Sequence, residues 1–163
     1  MLVTLHRPAL VDGPLLTEAM QALTELSGSL DVAFPVHPRT RAQLETLGLT
    51  ATSPTLRLLE PLGYLDFLSL TSSAAAVLTD SGGVQEETTF LCIPCFTLRD
   101  NTERPVTVQL GSNTLLGLDP ARIAEIPQLL EAQRGRTNGI PQGWDGRAAD
   151  RIVQVLEAAL VPG

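Results

Sequence analysis

Short, nearly continuous apolar runs alternate along this chain with longer stretches in which apolar residues recur every three or four positions. Met1-Leu2-Val3-Thr4-Leu5 reads as a buried strand. Leu15, Leu16, Ala19, Met20, Leu23 and Leu26 then follow at helical spacing until Gly28 stops them. Residues 32–36 form a second strand pattern, although Pro35 removes one ladder donor. A helix over 39–47 ends at Gly48, and 55–59 reads as a third strand. Helix 63–72, strand 75–79, helix 81–91 and strand 94–98 continue the series. The turn-rich stretch 99–117 holds a further short strand at 113–116. Two helices complete the pattern, one interrupted by Pro127 and one from about 147 to 160, with a loop over 134–143 between them.

Apolar strands alternating with helices predict a parallel sheet covered on both faces. Right-handed crossovers wind such a sheet into an α/β, three-layer, Rossmann-like doubly wound sandwich, here one domain over 1–163. Ligands of such sheets sit beyond the carboxyl ends of the strands, so the residues that follow each strand are the ones to examine.

Composition narrows the chemistry. With 44% hydrophobic and 18% charged residues, 163 residues can bury one core. Eighteen acids against 11 bases leave a net charge of −7, which disfavours nucleic acid or an anionic membrane as partner. All 11 bases are arginines, so Schiff-base lysine chemistry and a P-loop lysine are excluded. Cys92 and Cys95 have C-x-x-C spacing, but they fall where a helix ends and an apolar strand begins. They are expected to be two buried small hydrophobes. No second Cys/His pair accompanies them, so no zinc site is expected. The chain opens without a basic leader pattern and has no membrane-length apolar run, which predicts a soluble cytoplasmic protein.

His6-Arg7 follows the first strand and His37 the second. The fourth strand runs into Asp80-Ser81-Gly82-Gly83-Val84-Gln85-Glu86-Glu87, and the fifth into Arg99-Asp100-Asn101-Thr102-Glu103-Arg104. A strand that turns through Ser-Gly-Gly into a helix offers backbone N–H groups and a positive helix end to an anion. The same residues equally suit a tight turn with Asp80 or Ser81 as N-cap. Neither a G-x-G-x-x-G fingerprint nor a Walker motif is present. Glu86 and Glu87 suit either a solvated pair or a carboxylate holding ribose hydroxyls. Arg104 offers a planar fork to phosphate, and His6 suits acid–base work, phosphate binding or a structural role.

His6-Arg7, Pro35-Val36-His37-Pro38, Tyr64-Leu65-Asp66-Phe67, the 78–87 segment, Thr102-Glu103-Arg104-Pro105 and Asp145-Gly146-Arg147-Ala148 occur in that order. Together they resemble the carboxyl-terminal half of the non-hydrolysing UDP-N-acetylglucosamine 2-epimerases. The T-D-S-G-G-x-Q-E-E and T-E-R-P blocks carry most of the resemblance. It implies one UDP-binding domain of a GT-B-type enzyme, with the amino-terminal catalytic-partner domain absent from this chain. Such enzymes interconvert UDP-GlcNAc and UDP-ManNAc by eliminating UDP and adding it back. They work in the cytoplasm without metal or other cofactor, as homodimers, in amino-sugar metabolism that supplies cell-envelope polysaccharide.

By position, the resemblance implies that His6 touches substrate and acts with Arg104 as a catalytic residue. It makes Ser81, Gly82 and Gly83 the phosphate cradle, Glu87 the ribose carboxylate, Arg104 the arginine at the diphosphate and Phe67 the aromatic near uracil. His37 matches a histidine that in some bacterial members meets a second, regulatory UDP-GlcNAc. Three places depart from the family pattern. Pro8-Ala9-Leu10 replaces Arg-Glu-Asn, Leu62 stands where some members have glutamine, and Cys92-Ile93-Pro94 replaces Gly-Lys-Pro, a change expected to affect packing only. Half of the cleft being absent, the chain alone is expected to bind UDP without turnover. The other readings are the nucleotide-binding half of a GT-B glycosyltransferase, or a non-catalytic UDP-sugar-binding module.

Overall fold

Neighbouring residues of each strand send their side chains to opposite faces, and this divides the core in two. Val3, Leu78 and Phe96 join a large cluster with Leu16, Leu23, Phe34 and Ile123, whereas Leu2 and Val77 join Val84 in a smaller one. The structure is a computed structural model that describes residues 1–51, 53–134 and 139–160. Its strands are β1 (Leu2–Thr4), β2 (Val32–Pro35), β3 (Leu56–Leu59), β4 (Val77–Thr79), β5 (Cys95–Thr97) and β6 (Asn113–Leu115). All pairings are parallel, in the order β3-β2-β1-β4-β5-β6. The doubly wound α/β sheet predicted from the alternation is therefore present.

The helices are α1 (Pro8–Val11), α2 (Leu15–Leu26), α3 (Pro38–Thr46), α4 (Tyr64–Ser73), α5 (Gly82–Phe90), α6 (Pro105–Gln109), α7 (Ile126–Gln133) and α8 (Ala148–Leu160), with a 3₁₀ turn over Pro120–Glu125. Proline lies in the first turn of α1, α3, α6 and α7, where its missing N–H costs no helix bond. Pro127 thus opens α7 rather than interrupting it, correcting the expectation of a broken helix. The loop expected at 134–143 lies partly outside the described residues. Gly111 is required by packing, because a Cβ there would lie 2.5 Å from the Thr89 side chain. The chain needs that glycine to pass close under α5.

The first departure from the family pattern has a local explanation. Pro8-Ala9-Leu10 starts α1, and Leu10 and Val11 are buried in the larger cluster. Residues 8–11 therefore form a turn anchored in the core. At the other end of the chain α8 buries none of its residues, leaving Ile152, Val155, Leu156 and Leu160 exposed. Among the described residues no helix is long and apolar enough to cross a membrane.

Candidate functional site

The strand order reverses between β1 and β4, and a doubly wound sheet opens its ligand crevice at such a point. Two loops meet there. Asp80, only 1% exposed, follows β4, and its Oδ2 accepts the backbone N–H of His6 at 2.9 Å and of Arg7 at 2.7 Å. His6 Nδ1 stands 2.9 Å from Asp80 Oδ1. The hydrogen bond to Asp80 raises the His6 pKa above its ordinary value; burial and Arg7 oppose it, and the charge of Asp80 adds to it.

With Asp80 turned back onto the β1 loop, it does not cap α5. Ser81 occupies the N-cap position with an extended backbone but makes no side-chain capping bond, and its own N–H goes to Thr79 Oγ1 at 2.9 Å. Ser81 is thus the N-cap by position, as the tight-turn alternative has it, but its side chain leaves the helix N–H groups free. The first turn of α5 keeps its N–H groups without a side-chain acceptor. The fold does not demand the two glycines that follow. A Cβ on Gly83 would meet nothing within 4 Å, and one on Gly82 would reach only Glu103 Oε2 at 3.8 Å. Neither lies in the left-handed region. Glycine costs a helix interior about 1 kcal/mol relative to alanine, and Gly82 and Gly83, the first two residues of α5, carry a smaller share of that cost. Here that cost brings no packing benefit within the chain, and it leaves the backbone open to close approach from outside.

Arg104 enters from the β5–α6 loop. Its Nε lies 2.7 Å from Glu86 Oε1, and its Nη1 donates to the Glu103 carbonyl at 3.3 Å. Glu103 Oε1 accepts from Arg99 Nη2 at 2.9 Å, which holds the Glu103 carboxyl below the usual carboxylate range, and Arg7 Nη2 lies 3.9 Å from its Oε2.

Beneath this rim lies a buried polar network that the sequence reading missed. Gln85 Nε2 donates to the Ser81 carbonyl, while its Oε1 accepts from Thr102 Oγ1 at 2.6 Å and from Asn113 Nδ2 at 3.0 Å. Asn113 Nδ2 also donates to Thr107 Oγ1, and Asn113 Oδ1 accepts from Thr97 Oγ1 at 2.7 Å. Thr102 Oγ1 in turn accepts the Arg104 N–H at 2.9 Å. One glutamine thus ties the start of α5 to the turn that carries Arg104. The signal was present in the helix pattern, since Val84, Gln85, Thr88 and Thr89 share the inward face at 3.6 spacing.

Glu87 lies five residues beyond Gly82, about 7.5 Å along the α5 axis. It faces a cleft of about 520 Å³ that it shares with Tyr64, Leu68, Glu86, Phe90 and Trp144. Burial raises its pKa, with Glu86 adding and the Tyr64 hydroxyl opposing. Phe67, three residues after Tyr64, is half-buried against Leu2, Val77 and Val84. His37 is exposed at the N-cap of α3, where its Nδ1 accepts the Arg39 N–H at 3.2 Å, and its ring centroid is 5.7 Å from that of His6. The structure therefore gathers His6, His37, Ser81, Gly82, Gly83 and Arg104 at one sheet edge. Glu87 and Phe67 lie along the α4–α5 side.

The cysteine expectation fails for one residue of the pair. Cys95 is buried in β5, with its thiol pushed up to about 11 by burial, but Cys92 is exposed. The Cys92 N–H bonds to the Thr89 carbonyl and the Ile93 N–H to the Thr88 carbonyl, the pair of bonds of a Schellman C-cap. Cys92 takes the left-handed position of that cap, with φ 56°. The change from Gly-Lys-Pro therefore acts on the backbone and is not confined to packing. No group of three or more potential metal ligands occurs among the described residues.

A six-stranded doubly wound sheet with an uncapped Ser-Gly-Gly helix start at its switch point defines a Rossmann-like domain with an open anion-binding geometry. The profile of the UDP-N-acetylglucosamine 2-epimerase family matches residues 1–157, and the chain belongs to that family. It is 40% identical over 162 residues to the UDP-N-acetylglucosamine 2-epimerase of Methanocaldococcus jannaschii, covering 95% of this chain and 43% of that one. To the UDP-2,3-diacetamido-2,3-dideoxy-D-glucuronate 2-epimerase of Pseudomonas aeruginosa it is 38% identical over 157 residues, with the same two coverages. The solved Methanocaldococcus jannaschii UDP-GlcNAc 2-epimerase in complex with UDP-GlcNAc and UDP superposes with a TM-score of 0.77 at 35% identity, covering 96% of this chain and 44% of that one. The chain thus spans less than half the length of these relatives.

Proposed function

We propose that this chain is the UDP-binding half of a GT-B-type UDP-sugar 2-epimerase, with UDP-GlcNAc and UDP-ManNAc as the pair interconverted. The observation that carries the reading is the start of α5, where Ser81 leaves the helix N–H groups uncapped beside two glycines the fold does not need. In this reading the diphosphate sits on Ser81, Gly82 and Gly83, and Arg104 lays its fork on the same oxygens. Glu87 holds the ribose further along α5, and Phe67 backs the base. His37 is the contact for a second, regulatory UDP-GlcNAc.

The reaction is an elimination followed by an addition. A base removes the proton at C2, its electron pair forms the C1–C2 double bond, and the C1–O bond breaks with its electrons leaving on UDP. The reverse step returns UDP to C1 and a proton to the other face of C2. His6 and Arg104 meet the departing diphosphate, whose negative charge grows as the bond breaks. The base belongs to a complementary amino-terminal domain, equivalent to the length of the relatives that this chain does not match. The exposed apolar face of α8 supports the existence of such a covering partner. The assembled enzyme is a soluble cytoplasmic homodimer supplying activated amino sugars, and the reading invokes no cofactor.

The test is calorimetry with UDP on the chain and on Gly83→Val. UDP should bind the chain, and the substitution should remove most of the affinity while circular dichroism is unchanged. Equal binding by both proteins would remove the cradle. The purified chain alone should convert neither UDP-GlcNAc nor UDP-2,3-diacetamido-2,3-dideoxy-D-glucuronate. Co-expressed with the complementary domain, it should epimerise the first. Conversion of the second alone would reassign the sugar.

A further inference from the structure

The chain contains two histidines, 5.7 Å apart between ring centroids, and the structure holds them by opposite chemistry. His37 uses Nδ1 as an acceptor, for the N–H of Arg39 at 3.2 Å, so its ring proton must sit on Nε2. His6 turns Nδ1 toward a carboxylate oxygen, Asp80 Oδ1, at 2.9 Å. A carboxylate oxygen accepts and cannot donate, so the ring proton of His6 belongs on Nδ1. Asp80 is well built to hold that arrangement. It is fully buried, and its other oxygen takes the backbone N–H groups of both His6 and Arg7. These contacts fix the loop that carries the imidazole as well as the ring. Among the described residues nothing engages His6 Nε2.

We infer that Asp80 is a positioning residue that holds His6 in its Nδ1–H tautomer and keeps Nε2 as the nitrogen able to take up and return a proton at the crevice. A proton on Nε2 would turn that edge into a fixed donor and leave no lone pair for exchange. With the proton on Nδ1, a proton gained at Nε2 produces an imidazolium whose positive charge lies against Asp80. The other groups facing the ring are Arg7, which opposes that charge, and His37; Glu103 lies beyond, tied to Arg99 and Arg7. The use of this tautomer on a UDP-sugar rests on the function proposed above; the tautomer itself does not.

The test uses the full chain labelled with ¹⁵N-histidine and long-range ¹H–¹⁵N spectra across pH, with His37→Gln assigning the two rings. Above its midpoint His6 should show the Nδ1–H pattern, and His37 the opposite Nε2–H pattern. In Asp80→Asn the side-chain amide presents a donor to the ring. His6 should then switch to Nε2–H, with its midpoint lowered by about 1–3 units, the range for losing an adjacent opposite charge. A purely structural Asp80 would shift stability and leave the tautomer alone. An Nε2–H pattern for His6 in the unmodified chain, or an unchanged tautomer in Asp80→Asn, would overturn the inference. If Asp80→Asn does not fold, the pattern of the unmodified chain decides alone. Absence of UDP binding with the Nδ1–H pattern intact would sink the UDP reading and leave this inference standing.

Discussion

Glu86 Oε1 lies 2.7 Å from Arg104 Nε, an ion pair that brings the β5–α6 turn against α5. Both side chains are about two-fifths exposed, and a pair of that kind contributes no more than about 1 kcal/mol to stability. The function proposed above makes this pair the support of the diphosphate-facing fork. Glu86→Gln should leave the melting temperature within a few degrees and weaken UDP binding several-fold by calorimetry. Arg104→Lys keeps the charge but loses the fork, and should weaken binding further. In the two-domain enzyme, Arg104→Ala should lower kcat/KM by about 10²–10³-fold, the scale of losing one charge-stabilising donor. A variant that keeps full affinity and activity would return the arginine to a structural role.

Gly83→Ala isolates the cradle from the fold. The added methyl meets nothing within 4 Å, so thermal stability should hold or rise slightly. UDP affinity should nevertheless fall, because the methyl occupies the space through which the phosphate approaches. Falling affinity together with falling stability would show that the glycine serves the fold.

Cys92→Gly should stabilise the chain by about 1 kcal/mol, because a residue with a Cβ is strained at φ 56° and glycine is not. Urea unfolding would read this directly. No gain in midpoint would mean that contacts of the cysteine side chain offset the strain.

Gln85→Leu keeps volume near the sheet but leaves the Thr102 hydroxyl and the Asn113 amide without the oxygen they share. Each buried donor left unpaired costs about 1–3 kcal/mol. The unfolding midpoint should drop accordingly, and UDP affinity should drop with it, since the Arg104 turn hangs from Thr102. A neutral result would mean that the network is not coupled to the site.

Acid–base linkage gives a signed test. His6 binds its proton more tightly in the folded chain, chiefly through the hydrogen bond to Asp80. That stabilisation is fully present below the ordinary histidine value of about 6.5 and is lost as pH rises through the higher folded value. Glu103, depressed by Arg99, contributes in the opposite sense, above its unfolded value, and loses its contribution as pH falls. The gap in melting temperature between the chain and His6→Gln should therefore narrow on raising the pH from about 6 to 8. A gap that widens over that range would contradict the His6–Asp80 contact.

The strands and main helices were legible because their apolar spacing is strong; α4, α5 and α8 begin within one residue of the positions read from the pattern. The short helices α1 and α6 escaped because four or five residues carry no period, and only Pro8 and Pro105 marked their starts. His6, the Ser81 turn and Arg104 were legible as residues that follow strands. Their supports were not. Asp80, Gln85 and Asn113 are polar residues that a composition reading assigns to the surface. What buries them includes partners far away in sequence, 74 residues for Asp80 and His6, 28 for Gln85 and Asn113, and 16 for Asn113 and Thr97. Cys92 differs from its expected burial for a related reason, since its exposure follows from a cap geometry that hydrophobicity does not encode.

The C-cap of α5 also makes this chain convenient for optical work. At neutral pH a maleimide dye should attach to exposed Cys92 and spare Cys95, whose thiol is buried with a pKa of about 11. Helix α5 runs from the Ser81 turn to that dye, about 15 Å end to end. A fluorophore there sits at the negative pole of the helix whose positive pole is the Ser81 turn, so a change in its emission on adding UDP would test arrival at that turn with no residue engineered into the site.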